Sequence, residues 1–181
     1  MSNCWAKLGR IEVPDVPQSI FDAPVIEADG NHHSVATPTD GSPFWFKRKH
    51  SDAIVTMADG PPKKYLASLD LPEFEFRGAN FLVMHSTLGW HIDSGRITTL
   101  NVAIQNAGLG RVEFEDGSSY VMERGDIYCL DVTKKHRIVL EEDRDKDAGP
   151  RILLNIGLHH GFNSEETQKI INDIREYVSA R

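Results

Sequence analysis

Over much of its second half the chain alternates hydrophobic and polar residues with a period of two, the mark of strands with one buried face. Along Ile97–Ile104, Thr99 and Asn101 project one way while Thr98, Leu100 and Val102 project the other. Arg151–Leu158 repeats the pattern, with Ile152, Leu154 and Ile156 on one face and Arg151, Leu153 and Asn155 on the other. Between them, Arg111–Glu115, Ser118–Met122, Ile127–Asp131 and His136–Leu140 read as short strands, and Asn80–His85 precedes the series. Asp116-Gly117 marks a tight hairpin, with further turns at Asn106–Gly110 and Glu123–Asp126. Polar residues recurring on one strand face suit the wall of a barrel whose interior is partly wet.

The first part of the chain has a different texture. Residues 1–43 carry five prolines and read as an irregular wrap, with extended pieces at Arg10–Val13 and Pro24–Glu27. Phe44–Lys47 and Ala53–Met57 predict strands, Lys63–Ser68 is either helical or extended, and Glu73–Arg77 is extended. At the other end, Ile170, Ile171, Ile174, Tyr177 and Val178 recur at helical spacing over 163–179, with Asn163 as cap and Glu166 completing a capping box. That helix is expected to brace the outside of the sheet; a homodimer contact is the alternative use of its stripe. The whole of 1–181 reads as one domain with its core at 80–161.

Composition narrows the function classes. A formal charge of −7 and the lack of an aromatic-basic stripe argue against nucleic acid as a partner. No apolar run reaches the length of a membrane span, so no membrane partner is expected. Two cysteines, Cys4 and Cys129, cannot build a disulfide framework, and Cys129 reads as a small core residue. A reducing, cytoplasmic setting is the expectation.

The candidate chemistry lies in His91-Ile92-Asp93, His136 and Arg151. Side chains at i and i+2 of an extended segment share a face, so His91 and Asp93 can converge on one point. His136 stands 43 positions after Asp93, room for about four short strands with tight turns. That length returns a chain around a small double-stranded barrel to its starting pair. Two imidazoles and one carboxylate leave coordination positions open, the arrangement of non-haem Fe(II) oxygenases. A second triplet, His50-Ser51-Asp52, sits in a charged run without a distal partner. Arg151 offers a permanently charged fork for a carboxylate.

His91-x-Asp93, His136 and Arg151 on the last strand resemble the 2-oxoglutarate/Fe(II)-dependent dioxygenase superfamily. Within it, Trp90–Ile104 and His136–Leu158 are closest to the aspartyl/asparaginyl β-hydroxylase and prolyl hydroxylase-like branch. The resemblance implies a double-stranded β-helix (jelly-roll, cupin-like) barrel. His91, Asp93 and His136 would hold Fe(II), and Arg151 would pair with the distal carboxylate of 2-oxoglutarate. Molecular oxygen would be consumed, 2-oxoglutarate decarboxylated to succinate, and a small molecule or peptidyl side chain hydroxylated. Where the family often has Ser or Thr two residues after the arginine, this chain has Leu153. Thr99, Asn101 and His85 are therefore candidates to complete the co-substrate pocket, and Arg96 is open to three readings: a second co-substrate cation, a clamp for a substrate carboxylate, or an ordinary surface arginine. The competing readings are a cupin-type metalloenzyme that does not use 2-oxoglutarate and a non-catalytic barrel that binds a ligand or partner protein.

Overall fold

The computed structural model describes residues 4–18, 25–28, 45–48, 53–56, 60–84, 87–93, 95–140 and 150–181. Four strands come before the barrel proper: β1 (Trp5–Arg10), β2 (Val25–Ala28), β3 (Trp45–Arg48) and β4 (Ala53–Thr56). A helix, α1 (Gly60–Ser68), follows them. Eight more strands then run in close succession: β5 (Gly78–Met84), β6 (Leu88–His91), β7 (Thr98–Gln105), β8 (Gly110–Phe114), β9 (Ser119–Val121), β10 (Asp126–Asp131), β11 (His136–Leu140) and β12 (Arg151–Gly157). The chain ends in α2 (Glu165–Ser179).

Strand order decides the architecture. The large sheet runs β1-β10-β7-β12-β5-β4-β3-β2 and the small one β6-β11-β8-β9. Successive strands from β5 to β8 thus fall alternately in the two sheets, β9 adds to the edge beside β8, and β10 to β12 wind back between their predecessors. All pairs are antiparallel except β2 with β3. This double winding is a jelly roll, mainly β, with α2 packed outside, as the alternating pattern and the resemblance implied.

Alternation sorts β12 between two cores. Ile152, Leu154 and Ile156 join Phe81, Leu100, Ile127 and Ile174 on the outer face of the large sheet. Leu153 instead joins Met84, Ala103, Phe114, Met122 and Tyr128 between the sheets. Helix α2 seals the outer core with Ile171 and Ile174, and Arg175 donates to the carbonyl of Lys7 on β1. Its cap is Ser164 rather than Asn163: the Ser164 hydroxyl accepts from the Thr167 N–H at 3.1 Å.

Two elements depart from the sequence expectation. Trp5–Arg10 lies in the segment expected to be irregular, yet it pairs along β10 as the edge of the large sheet. Its anchor is Asp126, buried at 1% exposure, which takes Lys7 at 2.9 Å and Arg10 at 2.8 Å. Glu73–Arg77, expected to be extended, carries no strand. His50 and Asp52, like His85, lie outside the described residues.

Gly125 fixes the turn into β10. Its φ is +85°, and a Cβ built on it would meet the Ile11 carbonyl oxygen at 2.0 Å. Its N–H donates to Ala103 and its carbonyl accepts from Ile11. Gly125→Ala is therefore expected to cost more than about 2 kcal/mol, because backbone and not a flexible side chain must yield. A urea midpoint equal to the parent's refutes this.

Candidate metal centre

Register brings the two histidines together. In the small sheet, His136 of β11 pairs directly with His91 at the end of β6. The rings lie 4.3 Å apart between centroids, at 52°. Asp93 follows two residues later, held by its N–H donating to the Val132 carbonyl at 3.2 Å. One ligand atom from each of His91, Asp93 and His136 lies within 4.8 Å of the others. Among the described residues this is the group of metal-ligating side chains that converges. His136 is buried at 4% exposure, whereas the His91 and Asp93 side chains keep 26% and 31%. The cluster is thus walled on one side and open on the other.

Hydrogen bonds fix which nitrogens face inward. His91 Nδ1 lies 2.7 Å from the Gly89 carbonyl and His136 Nδ1 lies 2.8 Å from that of Lys134. A carbonyl only accepts, so both Nδ1 atoms carry hydrogen, and neutral rings present the Nε2 lone pair. His91 Nε2 stands 3.5 Å from Asp93 Oδ1. Two acceptors facing each other at that distance call for a proton or a cation between them. Adjacent ligands about 2.1 Å from a common ion are themselves about 3 Å apart, so the donor set fits a divalent metal after a small contraction.

Electrostatics point the same way. Burial alone would raise the Asp93 carboxyl, but a proton on His91 or His136 beside it, together with Arg96, holds it below the usual carboxylate range. Burial, together with His91, pushes the His136 imidazole down and favours its neutral, ligating form. Phe114, with its ring 5.8 Å from that of His136, shields the buried side.

Arg151 occupies the other end of the interior, at the start of β12. It is fully buried, and burial pulls its guanidinium down to about 10. Its partners are the Ala107 carbonyl at 3.3 Å and the sulfurs of Met84 and Met122 at 3.6 and 3.9 Å. None is anionic. A charged group without a counter-ion in so dry a place is costly unless a ligand supplies one.

Thr99 and Asn101 reach the same interior. The Thr99 hydroxyl is buried without a hydrogen-bond partner among the described residues. Asn101 Oδ1 accepts from Asn155 Nδ2 at 2.6 Å, and Asn155 in turn accepts from Arg96. Arg96 therefore sits at the metal end of β12, away from Arg151. Trp90 faces outward as its register requires, 42% exposed, with the Arg137 guanidinium 4.8 Å above its ring. It forms one wall of an open groove of about 470 Å³ on the outside of the small sheet, lined also by Glu113, Glu115 and Lys135.

Tyr120 was not singled out by the sequence. Its hydroxyl is buried and makes no hydrogen bond of good geometry among the described residues, although Asn101 and the Arg151 charge both act on it. In Ser118–Met122 an aromatic reads as ordinary core, and only its facing position within the strand hinted otherwise.

No protein-family model and no curated protein matches the chain. Among solved structures, an oxidoreductase of the 2OG-Fe(II) oxygenase family from Burkholderia pseudomallei is 14% identical with a TM-score of 0.43, over 64% of this chain and 72% of that one. A protein from Neisseria meningitidis is 22% identical with a TM-score of 0.33, over 54% and 95%. An RmlC-like cupin protein from Desulfovibrio desulfuricans is 13% identical with a TM-score of 0.33, over 48% and 76%. Identity and superposition are too low for any of the three to lend this chain its activity.

Proposed function

We propose that the protein is an Fe(II)/2-oxoglutarate-dependent dioxygenase that hydroxylates a small molecule or a peptidyl side chain. The observation that carries this reading is Arg151: a fully buried guanidinium whose partners among the described residues are all neutral, inside the same barrel as the triad. A metalloenzyme without an acidic co-substrate has no use for that charge.

In this reading His91, Asp93 and His136 hold the metal through two Nε2 atoms and a carboxylate oxygen. Arg151 pairs with the distal carboxylate of 2-oxoglutarate, the Tyr120 hydroxyl donates to it, and Thr99 lines the same interior. When bound, the iron supplies activation of molecular oxygen, with oxidative decarboxylation of the co-substrate to succinate. The chain's part is to orient both molecules and exclude water: Phe114, Met84, Met122 and Leu153 keep the inner side dry. Both cysteines are buried and free, and no helix among the described residues is long and apolar enough to cross a membrane. A reducing cytoplasmic setting would keep the iron ferrous.

Anaerobic addition of Fe(II) and 2-oxoglutarate is expected to give a visible metal-to-ligand charge-transfer band, absent with either alone. Both components bound with no such band removes the co-substrate assignment.

A further inference from the structure

Two guanidinium groups approach the inner face of the large sheet, at opposite ends of β12. Arg151 opens the strand, whereas Arg96 lies over its far end. Arg96 Nη1 donates to Asn155 Oδ1, and its Nε would lie 3.8 Å from a Cβ placed on Gly157. Asn155 and Gly157 share the face of Arg151 by strand alternation. Asn155 lies four residues from Arg151, about 13 Å along an extended strand. That is farther than the two ends of a five-carbon diacid, so the two cations serve two different anionic groups.

The setting of Arg96 is a built one. Asn155 takes the guanidinium on its oxygen and passes its own N–H to Asn101 at 2.6 Å. Both amides are buried, at 7% and 6% exposure. The arginine stem passes Gly157 at ordinary contact distance. A mere counter-ion for Asp93, a partly exposed carboxylate three residues away, would need no such bracket. The charge of Arg96 acts on Asp93 and so stands within reach of the triad.

We propose that Arg96 anchors a carboxylate of the molecule to be hydroxylated, so that the substrate class is an organic acid or an acidic peptide side chain. The inference rests on the metal reading above for its chemistry, but the anchor itself is a binding claim. Asn155 and Asn101 are positioning residues that hold the fork in one orientation.

The test is a binding panel on the full chain. Amino acids and short peptides with side-chain or terminal carboxylates are each paired with the carboxamide counterpart. Every pair is titrated against the protein with Mn(II) and 2-oxoglutarate, and again without metal. At least one acid is expected to bind ten-fold or more tightly than its amide. In Arg96→Gln that preference disappears, in Arg96→Lys part of it returns, and affinity for Mn(II) changes less than two-fold. The proposal is overturned if no acid in the panel binds, if amides bind as well as acids, or if Arg96→Gln keeps the preference. It is equally overturned if Arg96→Gln loses Mn(II) in step with the acid, which would make Arg96 a support for Asp93. Failure of the wild type to take up Mn(II) counts against the metal reading alone, because the metal-free titrations still decide the role of Arg96.

Discussion

Arg151→Met is expected to raise the melting temperature of the ligand-free protein while removing most of its affinity for 2-oxoglutarate. The two effects share one cause. The guanidinium is fully buried against a carbonyl and two thioethers, so its charge is desolvated and meets no anion among the described residues. Methionine occupies a similar volume, matches Met84 and Met122, and carries no charge. Replacement of a buried charge by a well-packed apolar side chain is neutral or stabilising, here by about 1–3 kcal/mol. Loss of one partner of a buried, hydrogen-bonded charge pair costs about 2–5 kcal/mol of binding, a rise in Kd of at least about thirty-fold. Calorimetric melting and isothermal titration of the same variant check both halves. A lowered melting point with undiminished affinity would make Arg151 a structural residue.

The second large effect concerns the triad. His136→Ala removes the one ligand that arrives from a separate strand, and His91→Ala or Asp93→Ala removes one of the adjacent pair. Changes to groups that merely orient a metal ligand weaken binding by about 10- to 100-fold. Loss of a ligand itself is expected to exceed that upper figure in each variant. Equilibrium dialysis of Mn(II), or of Fe(II) under nitrogen, reads the result directly. Circular dichroism of each variant separates loss of metal from loss of fold, above all for His136, which is buried at 4% exposure beside Phe114 of the inner core. Full affinity in His136→Ala would refute the centre.

What was legible in the sequence was whatever had a periodic or stereochemical signature. The alternation along 97–104 and 151–158 sorted Thr99, Asn101, Arg151 and Leu153 from their neighbours before any coordinate did. Asp116-Gly117 announced its hairpin because the turn needs a positive φ, and Gly117 adopts +85°. The pairing of His136 with His91 was legible only as a distance along the chain. Its register comes from the sheet.

Other features left no such mark. β1 was hidden because Lys7, Gly9 and Arg10 interrupt its apolar pattern; it is held by Asp126, more than a hundred residues away. In α1, Pro61 and Pro62 stand in the first turn, where a missing N–H costs nothing, so the helix begins ahead of the Lys63–Ser68 stretch whose pattern was ambiguous. Tyr120 escaped notice because its role follows from what it faces, and facing residues belong to different strands. The Ser164 cap was displaced by one position from Asn163, an ambiguity that two adjacent cap-forming residues always leave.

The triad is carried by the small sheet and Arg151 by the large one. On the proposed reading the gap between the sheets would act as a ruler, its filling setting how long a diacid could stretch from metal to guanidinium. Leu153 and Met122 are the shims in that gap. Thinning or thickening them would retune chain-length selectivity without altering a single group that touches the acid's charged ends.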